Sequence, residues 1–131
     1  IARRLRIDAA EPVLRTAYVL RGDGRPLQLV TCYEPAEFGE GLPLPQEGTG
    51  PHATPASRTA AAGVTITAAS EDVYLRVPRP DESDRLELPT GTQVLHLERT
   101  HWSGDRPVET SDIVVPGDKF RLSYTIPLPG A

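Results

Sequence analysis

The sequence predicts an α+β fold, with about six strands in a largely antiparallel sheet and two or three short helices. Three observations carry this expectation. First, residues 5–30 align without a gap on the start of the stretch 86–115. Leu5 falls on Leu86, Val13 on Val94, Arg25 on Arg106 and Pro26 on Pro107, always at the offset 94 − 13 = 81. Second, both copies are rich in β-formers after a turn signal, so each reads as a long strand and a returning strand. Third, the strands are joined by tight-turn sequences, GDG at 22–24 and SGDR at 103–106. Chance likeness between short apolar strands is the competing explanation; the RP that follows both turns favours an internal repeat.

Residues 2–5 read as the end of a helix, and 8–11 as a turn. Strands are expected at 13–20 and 27–33. Residues 35–55 are rich in Gly and Pro and have no period, which makes them a long loop: either a lid or binding loop, or a plain surface insertion. A short helix is expected at 57–62, capped by Ser57 and stopped by Gly63. Residues 64–77 read as a strand, with a break near Ala68–Ser70 as the alternative to a continuous one, and Pro80-Asp81-Glu82 as a helix start. Strands follow at 94–102, 107–115 and 120–126.

With 131 residues the chain fits one domain that buries roughly two-thirds of its unfolded surface. Its 38% hydrophobic and 24% charged residues are a globular rather than a disordered composition. A net charge of −4 argues against nucleic-acid binding by this domain, whose one basic cluster is Arg3, Arg4 and Arg6. Cys32 is alone, so no internal disulfide is expected. No apolar run approaches the ~20 residues of a membrane span. Met is absent, at position 1 as elsewhere, which leads to the expectation of a piece of a longer protein.

Strand alternation puts Leu95, Leu97, Arg99 and His101 on one face of the third repeat strand. An arginine beside two leucines is either turned outward at the rim or held by an acid. Turn geometry places Glu109 opposite Thr100, one step from Arg99 and within reach of it. A buried Arg–carboxylate pair would anchor a polar small molecule; a surface salt bridge worth under about 1 kcal/mol is the plain alternative. The repeat offset puts Tyr18 at the place of Arg99, Leu20 at His101 and Gln28 at Glu109. Cys32 and Tyr33 close a strand where the long loop begins, as a site mouth or as an inert buried Cys. His52, His96 and His101 have no zinc-site spacing, and no metal or cofactor is expected. Asp81, Glu82, Asp84 and Glu87 read as the wet face of a helix.

EPVL at 11–14, DGRPL at 23–27 and YEP at 33–35 form one block of a familiar pattern. LELPTGTQVL at 86–95, Arg99, GDRPVE at 104–109 and GDKF at 117–120 form the second, more specific one. Over essentially the whole chain this resembles the UTRA domain, the effector-binding half of HutC-type GntR-family transcription regulators. The resemblance implies a chorismate-lyase-like fold and a cytoplasmic, non-enzymatic sensor that forms homodimers. It would bind a small metabolite and reach DNA only through an N-terminal winged helix-turn-helix domain absent here. The ligand-binding positions it points to are Tyr18, Leu20, Tyr33, Arg99, His101, Glu109 and Val115. Members that bind phosphorylated sugars have two arginines where this chain has Tyr18 and Leu20, and often an acid near Val30 and a tyrosine near Val115. The resemblance therefore implies an effector less anionic and more apolar than a sugar phosphate. A chorismate-lyase-type enzyme and a free-standing dimerisation module are the alternatives.

Overall fold

The computed structural model describes residues 1–39 and 63–130. Five strands form one antiparallel sheet: β1 (Val13–Gly22), β2 (Arg25–Pro35), β3 (Ala68–Arg76), β4 (Val94–Ser103) and β5 (Arg106–Pro116). Their order across the sheet is β1-β2-β5-β4-β3. Three short helices accompany them: α1 (Ala2–Leu5), α2 (Ala36–Gly39) and α3 (Pro80–Arg85). The expected helix at 57–62 and most of the expected loop lie outside the described residues. Among the described residues, no helix is long and apolar enough to cross a membrane.

The repeat expected from the sequence is written into the backbone. β1 and β4 start 94 − 13 = 81 residues apart, and β2 and β5 start 106 − 25 = 81 apart. The left-handed residue that ends α1, Arg6 (φ 52°), has its counterpart in Glu87 (φ 54°) after α3. The buried leucines Leu5 and Leu86 correspond in the same way. Both hairpins close through two-residue turns, with positive φ at Asp23 and Gly24 in the first and at Gly104 in the second.

Both hairpins also carry a bulge at the same place. Arg21 pairs with Pro26 and Leu20 with Gln28, which leaves Leu27 over; Trp102 pairs with Pro107 and His101 with Glu109, which leaves Val108 over. The repeated proline supplies the reason. It has no N–H for the ladder, and in a sheet interior it is tolerated only at a strand start or a bulge. The central β2–β5 pairing completes the symmetry. The offset turns the pair Leu29–Val114 into Tyr33–Thr110, also a pair, and returns Thr31–Asp112 to itself. A local two-fold axis therefore passes through Thr31 and Asp112.

Alternation sorts the side chains onto two faces. On one, Leu29, Val94 and Val114 pack with Leu86, beside α3. On the other, Val30, Cys32, Leu97, Ile113 and Val115 form a second cluster, with Tyr18, Leu95 and Phe120 against it. We call this second face the inner face.

The structure corrects three expectations. The segment 120–126 is not a sixth strand: it joins no ladder. Its apolar alternation would suit one, but a strand needs a partner edge; Phe120 instead packs on the inner cluster and the Tyr124 hydroxyl bonds Glu71. Residues 36–39, expected as loop, are helical. Glu82 is not on a wet helix face but 1% exposed. It accepts the Arg79 backbone N–H at 2.8 Å and two hydrogen bonds from Arg76, each 2.7 Å, and so ties α3 to β3.

Candidate functional site

Tyr18 and Leu20 from β1, Arg99 and His101 from β4, and Glu109 and Val115 from β5 share the inner face; Arg99, His101 and Glu109 stand toward one end of it, Leu20 and Val115 toward the other, with Tyr18 between. Tyr33 does not join them. It shares the alternation of Leu29 and Thr31 and lies on the helix-side face of β2. Val115 is there as core, 2% exposed within the second cluster.

The pairing of Glu109 differs from the expected one, and the bulge is the reason. A regular ladder from Trp102–Pro107 would set Glu109 opposite Thr100, pointing to the other face. The extra residue, Val108, sets it opposite His101 instead. Glu109 is fully buried, and its Oε2 lies 2.6 Å from His101 Nδ1. Its Oε1 accepts the Ser111 hydroxyl, which also lies 3.3 Å from Cys32 Sγ. A carboxylate only accepts, so Nδ1 of His101 carries hydrogen and Nε2 of the neutral ring is left as an acceptor.

Arg99 is paired, but with Glu71 of β3. Its Nε donates to Glu71 Oε1 at 2.6 Å, and its Nη2 lies 2.5 Å from the same oxygen. Glu71 Oε2 accepts the Tyr124 hydroxyl at 2.6 Å. Burial by itself would raise the Glu71 carboxyl; the hydrogen bonds from Tyr124 and Arg99 outweigh it and hold the group below its ordinary range. Burial pushes the Cys32 thiol up to about 11 and raises the Tyr18 hydroxyl, with Cys32 beside it. Both stay protonated near neutrality. The Cys32 thiol is thus no ready nucleophile, although His101 and Glu109 have the form of a base and its orienting acid.

Sequence reasoning missed Glu71, Ser111 and Tyr124. Glu71 becomes a partner of Arg99 only through the β3–β4 register, which pairs those two residues directly. Ser111 was legible in principle, being two residues beyond Glu109 and on its face.

A second polar group sits on the reverse side of the same strands. Arg4 of α1 donates to Asp112 at 2.9 Å and lies 3.1 Å from Glu98. His96 Nε2 meets the same Asp112 oxygen at 2.8 Å, and Arg76 Nε donates to His96 Nδ1 at 3.1 Å. His96, Glu98 and Asp112 are close enough to share a metal ion. Here the Arg4 guanidinium already bridges the two acids, and the second nitrogen of His96 is taken by Arg76. The result is a polar chain from α1 through β5, β4 and β3 to Glu82 of α3. Burial opposes ionisation of Asp112, but hydrogen bonds from His96 and Arg4 hold its carboxyl below the ordinary range.

A hollow of about 550 Å³ opens at the tip of the first hairpin, between Asp23, Arg25, Lys119 and Phe120. It contains none of the expected ligand-binding residues.

A sheet face that gathers an acid–imidazole pair, a guanidinium and a half-row of apolar side chains suits a small-molecule binding domain. Comparison with known proteins gives the family. The UTRA domain matches residues 1–121, and the chain belongs to that family, the effector-binding domains of transcription regulators. It is 31% identical over 116 residues to the HTH-type transcriptional regulator Rv0792c of Mycobacterium tuberculosis, covering 86% of this chain and 43% of that protein. A solved GntR-family transcriptional regulator is similar at 37% identity and TM-score 0.87, over 98% of this chain and 54% of the other. PhnF from Mycobacterium smegmatis shares the fold at 22% identity and TM-score 0.85, over 98% of this chain and 56% of the other. The chain thus spans about half the length of these relatives.

Proposed function

We propose that the inner face is the effector site of a GntR-type regulator, and that the ligand contacts Tyr18, Arg99, His101 and Glu109, with Leu20 closing the far end of the face. The observation that supports this best is the buried His101–Glu109–Ser111 chain in a domain of this family. Buried polar groups in a row are costly unless they serve packing specificity or a ligand. The proposed ligand is a metabolite less anionic and more apolar than a sugar phosphate, because Tyr18 and Leu20 supply no cation.

In this reading a DNA-binding domain precedes α1 in the whole protein, and two copies pair to meet a two-fold operator. The ligand acts through strands it touches from one side. Arg99 and Ser111 face the ligand; their neighbours Glu98 and Asp112 hold Arg4 from behind. A shift of β4 against β5 that favours the ligand changes the seat of α1. DNA affinity follows by the difference in effector binding to the two poses, typically 1–3 kcal/mol.

Thermal shift against a metabolite panel tests the reading, since a specific ligand stabilises by mass action. The expected hit loses its effect in Glu109→Gln. Calorimetry showing tight binding of a hexosamine phosphate would overturn the proposed ligand character. The domain is proposed to be non-catalytic: incubation with chorismate is expected to release no 4-hydroxybenzoate.

A further inference from the structure

We propose that the effector is an amine: a molecule with an apolar or aromatic body that presents a positively charged N–H donor to the second hairpin. This deepens the reading of the inner face as the effector site and rests on it.

The charges already present there decide the matter. Arg99 turns both Nε and Nη2 on Glu71, and Tyr124 bonds the other oxygen of that acid. An anionic ligand would have to displace Glu71 from the guanidinium to reach it. Between the two hairpin tips no other Arg or Lys lies on the inner face of the five strands, because the matching positions of the first hairpin are Tyr18, Leu20, Gln28 and Val30; Arg25 and Arg106 stand at the tips, and Arg106 is held by Glu37. The remaining charged group of the second hairpin's row is Glu109, buried and served by Ser111 and His101. In so dry a place its field reaches its surroundings with little screening. It favours a cation nearby and repels a second carboxylate or a phosphate.

Hydrogen-bond polarity points the same way. When the His101 ring is neutral, Glu109 holds its hydrogen on Nδ1 and Nε2 is an acceptor. A ligand that meets this nitrogen must donate, and a ligand carboxylate or phosphate has nothing to donate. An ammonium donates up to three hydrogens and answers the charge of Glu109 as well. The rest of the molecule lies against Tyr18 and the Val30–Ile113 cluster, which suit hydrocarbon or an aromatic ring.

Three probes of one shape separate the charge classes: 2-phenylethylamine, 2-phenylethanol and 3-phenylpropionate. Each is titrated at millimolar concentration into the isotope-labelled chain, with amide shifts mapped by NMR. The amine is expected to bind at least about tenfold more tightly than the propionate, about 1.4 kcal/mol, with shifts at His101, Glu109 and Ser111. Glu109→Gln is expected to remove most of that preference. Arg99→Gln, at a more exposed position, is expected to strengthen it, and it keeps the test open should Glu109→Gln not fold. Equal or tighter binding of the propionate, mapped to the same amides, overturns the amine proposal and leaves the effector site standing. Amine binding that maps only to other surfaces, or no shift at these amides with any probe, overturns both.

Discussion

The two hairpins share one backbone plan and diverge in what they place on the inner face. Each has a two-residue turn, a proline, and a bulge at the residue after it. The bulge turns Gln28 in the first hairpin and Glu109 in the second onto the inner face. In the second, the four inner positions that follow the bulge away from the turn are Arg99, His101, Glu109 and Ser111. In the first they are Tyr18, Leu20, Gln28 and Val30. The difference teaches how a symmetric scaffold becomes an asymmetric receptor. The backbone sets where side chains point, and a few substitutions in one copy make one half polar and the other apolar. The axis itself follows the same rule: Thr31 and Asp112 are equivalent, yet only Asp112 holds Arg4.

The comparison can be broken most severely at the bulge. Deleting Val108, which is fully buried, would restore a regular ladder and turn Glu109 to the other face. Loss of cooperative unfolding in a thermal melt is expected. Deleting the exposed Leu27 should leave a folded chain with a lowered Tm. Equal effects would deny that the second bulge has the greater structural role.

The next largest contrast is Glu109→Ala against Gln28→Ala. Removing Glu109 leaves buried donors without their acceptor, at a cost of about 3 kcal/mol. Removing its half-buried counterpart should cost under about 0.5 kcal/mol. Urea unfolding of the two variants checks the pair, and similar midpoints would sink the claim of asymmetry.

A smaller effect is expected at the axis and depends on pH. Asp112 has a depressed folded-state value, so its contribution is complete above the ordinary carboxylate range and is lost as pH falls through the depressed value. Asp112→Asn should therefore flatten the acid limb of a Tm–pH profile and lower Tm near neutrality. Thr31→Ala should leave the shape of the profile unchanged. A wild-type acid limb in Asp112→Asn would show that the Arg4 clamp contributes nothing.

The smallest effect belongs to the apolar half. Tyr18→Phe removes one hydroxyl next to Cys32 and should cost under about 1 kcal/mol. It should also slow alkylation of the Cys32 thiol, measured with a thiol reagent, because the Tyr18 hydrogen bond favours the thiolate and is gone. An unchanged rate would place the barrier to reaction in burial alone.

Much of this was legible in the chain. The offset copies announced the two hairpins, their turns and their strand ends, because turn chemistry and β-propensity are local. The prolines were legible too, but the bulges they impose were not drawn from them, and so Glu109 was expected opposite Thr100. The expected strand at 120–126 failed for a related reason. Its alternation is a statement about side chains, whereas a strand exists only where another backbone offers free N–H and C=O groups. Tyr33 fell to alternation along β2, which the clusters Leu29 and Val30 belong to settle.

By itself, then, the amino-acid order determined the family, the repeated hairpins and the presence of a polar row near Arg99. Only the tertiary structure decided the partners: Glu71 for Arg99, His101 for Glu109, Asp112 for Arg4. The reason is physical. Propensity and turn geometry act over a few residues. Which charges neutralise each other depends on strand order and register, and a single extra residue in one strand reverses the face to which a carboxylate points.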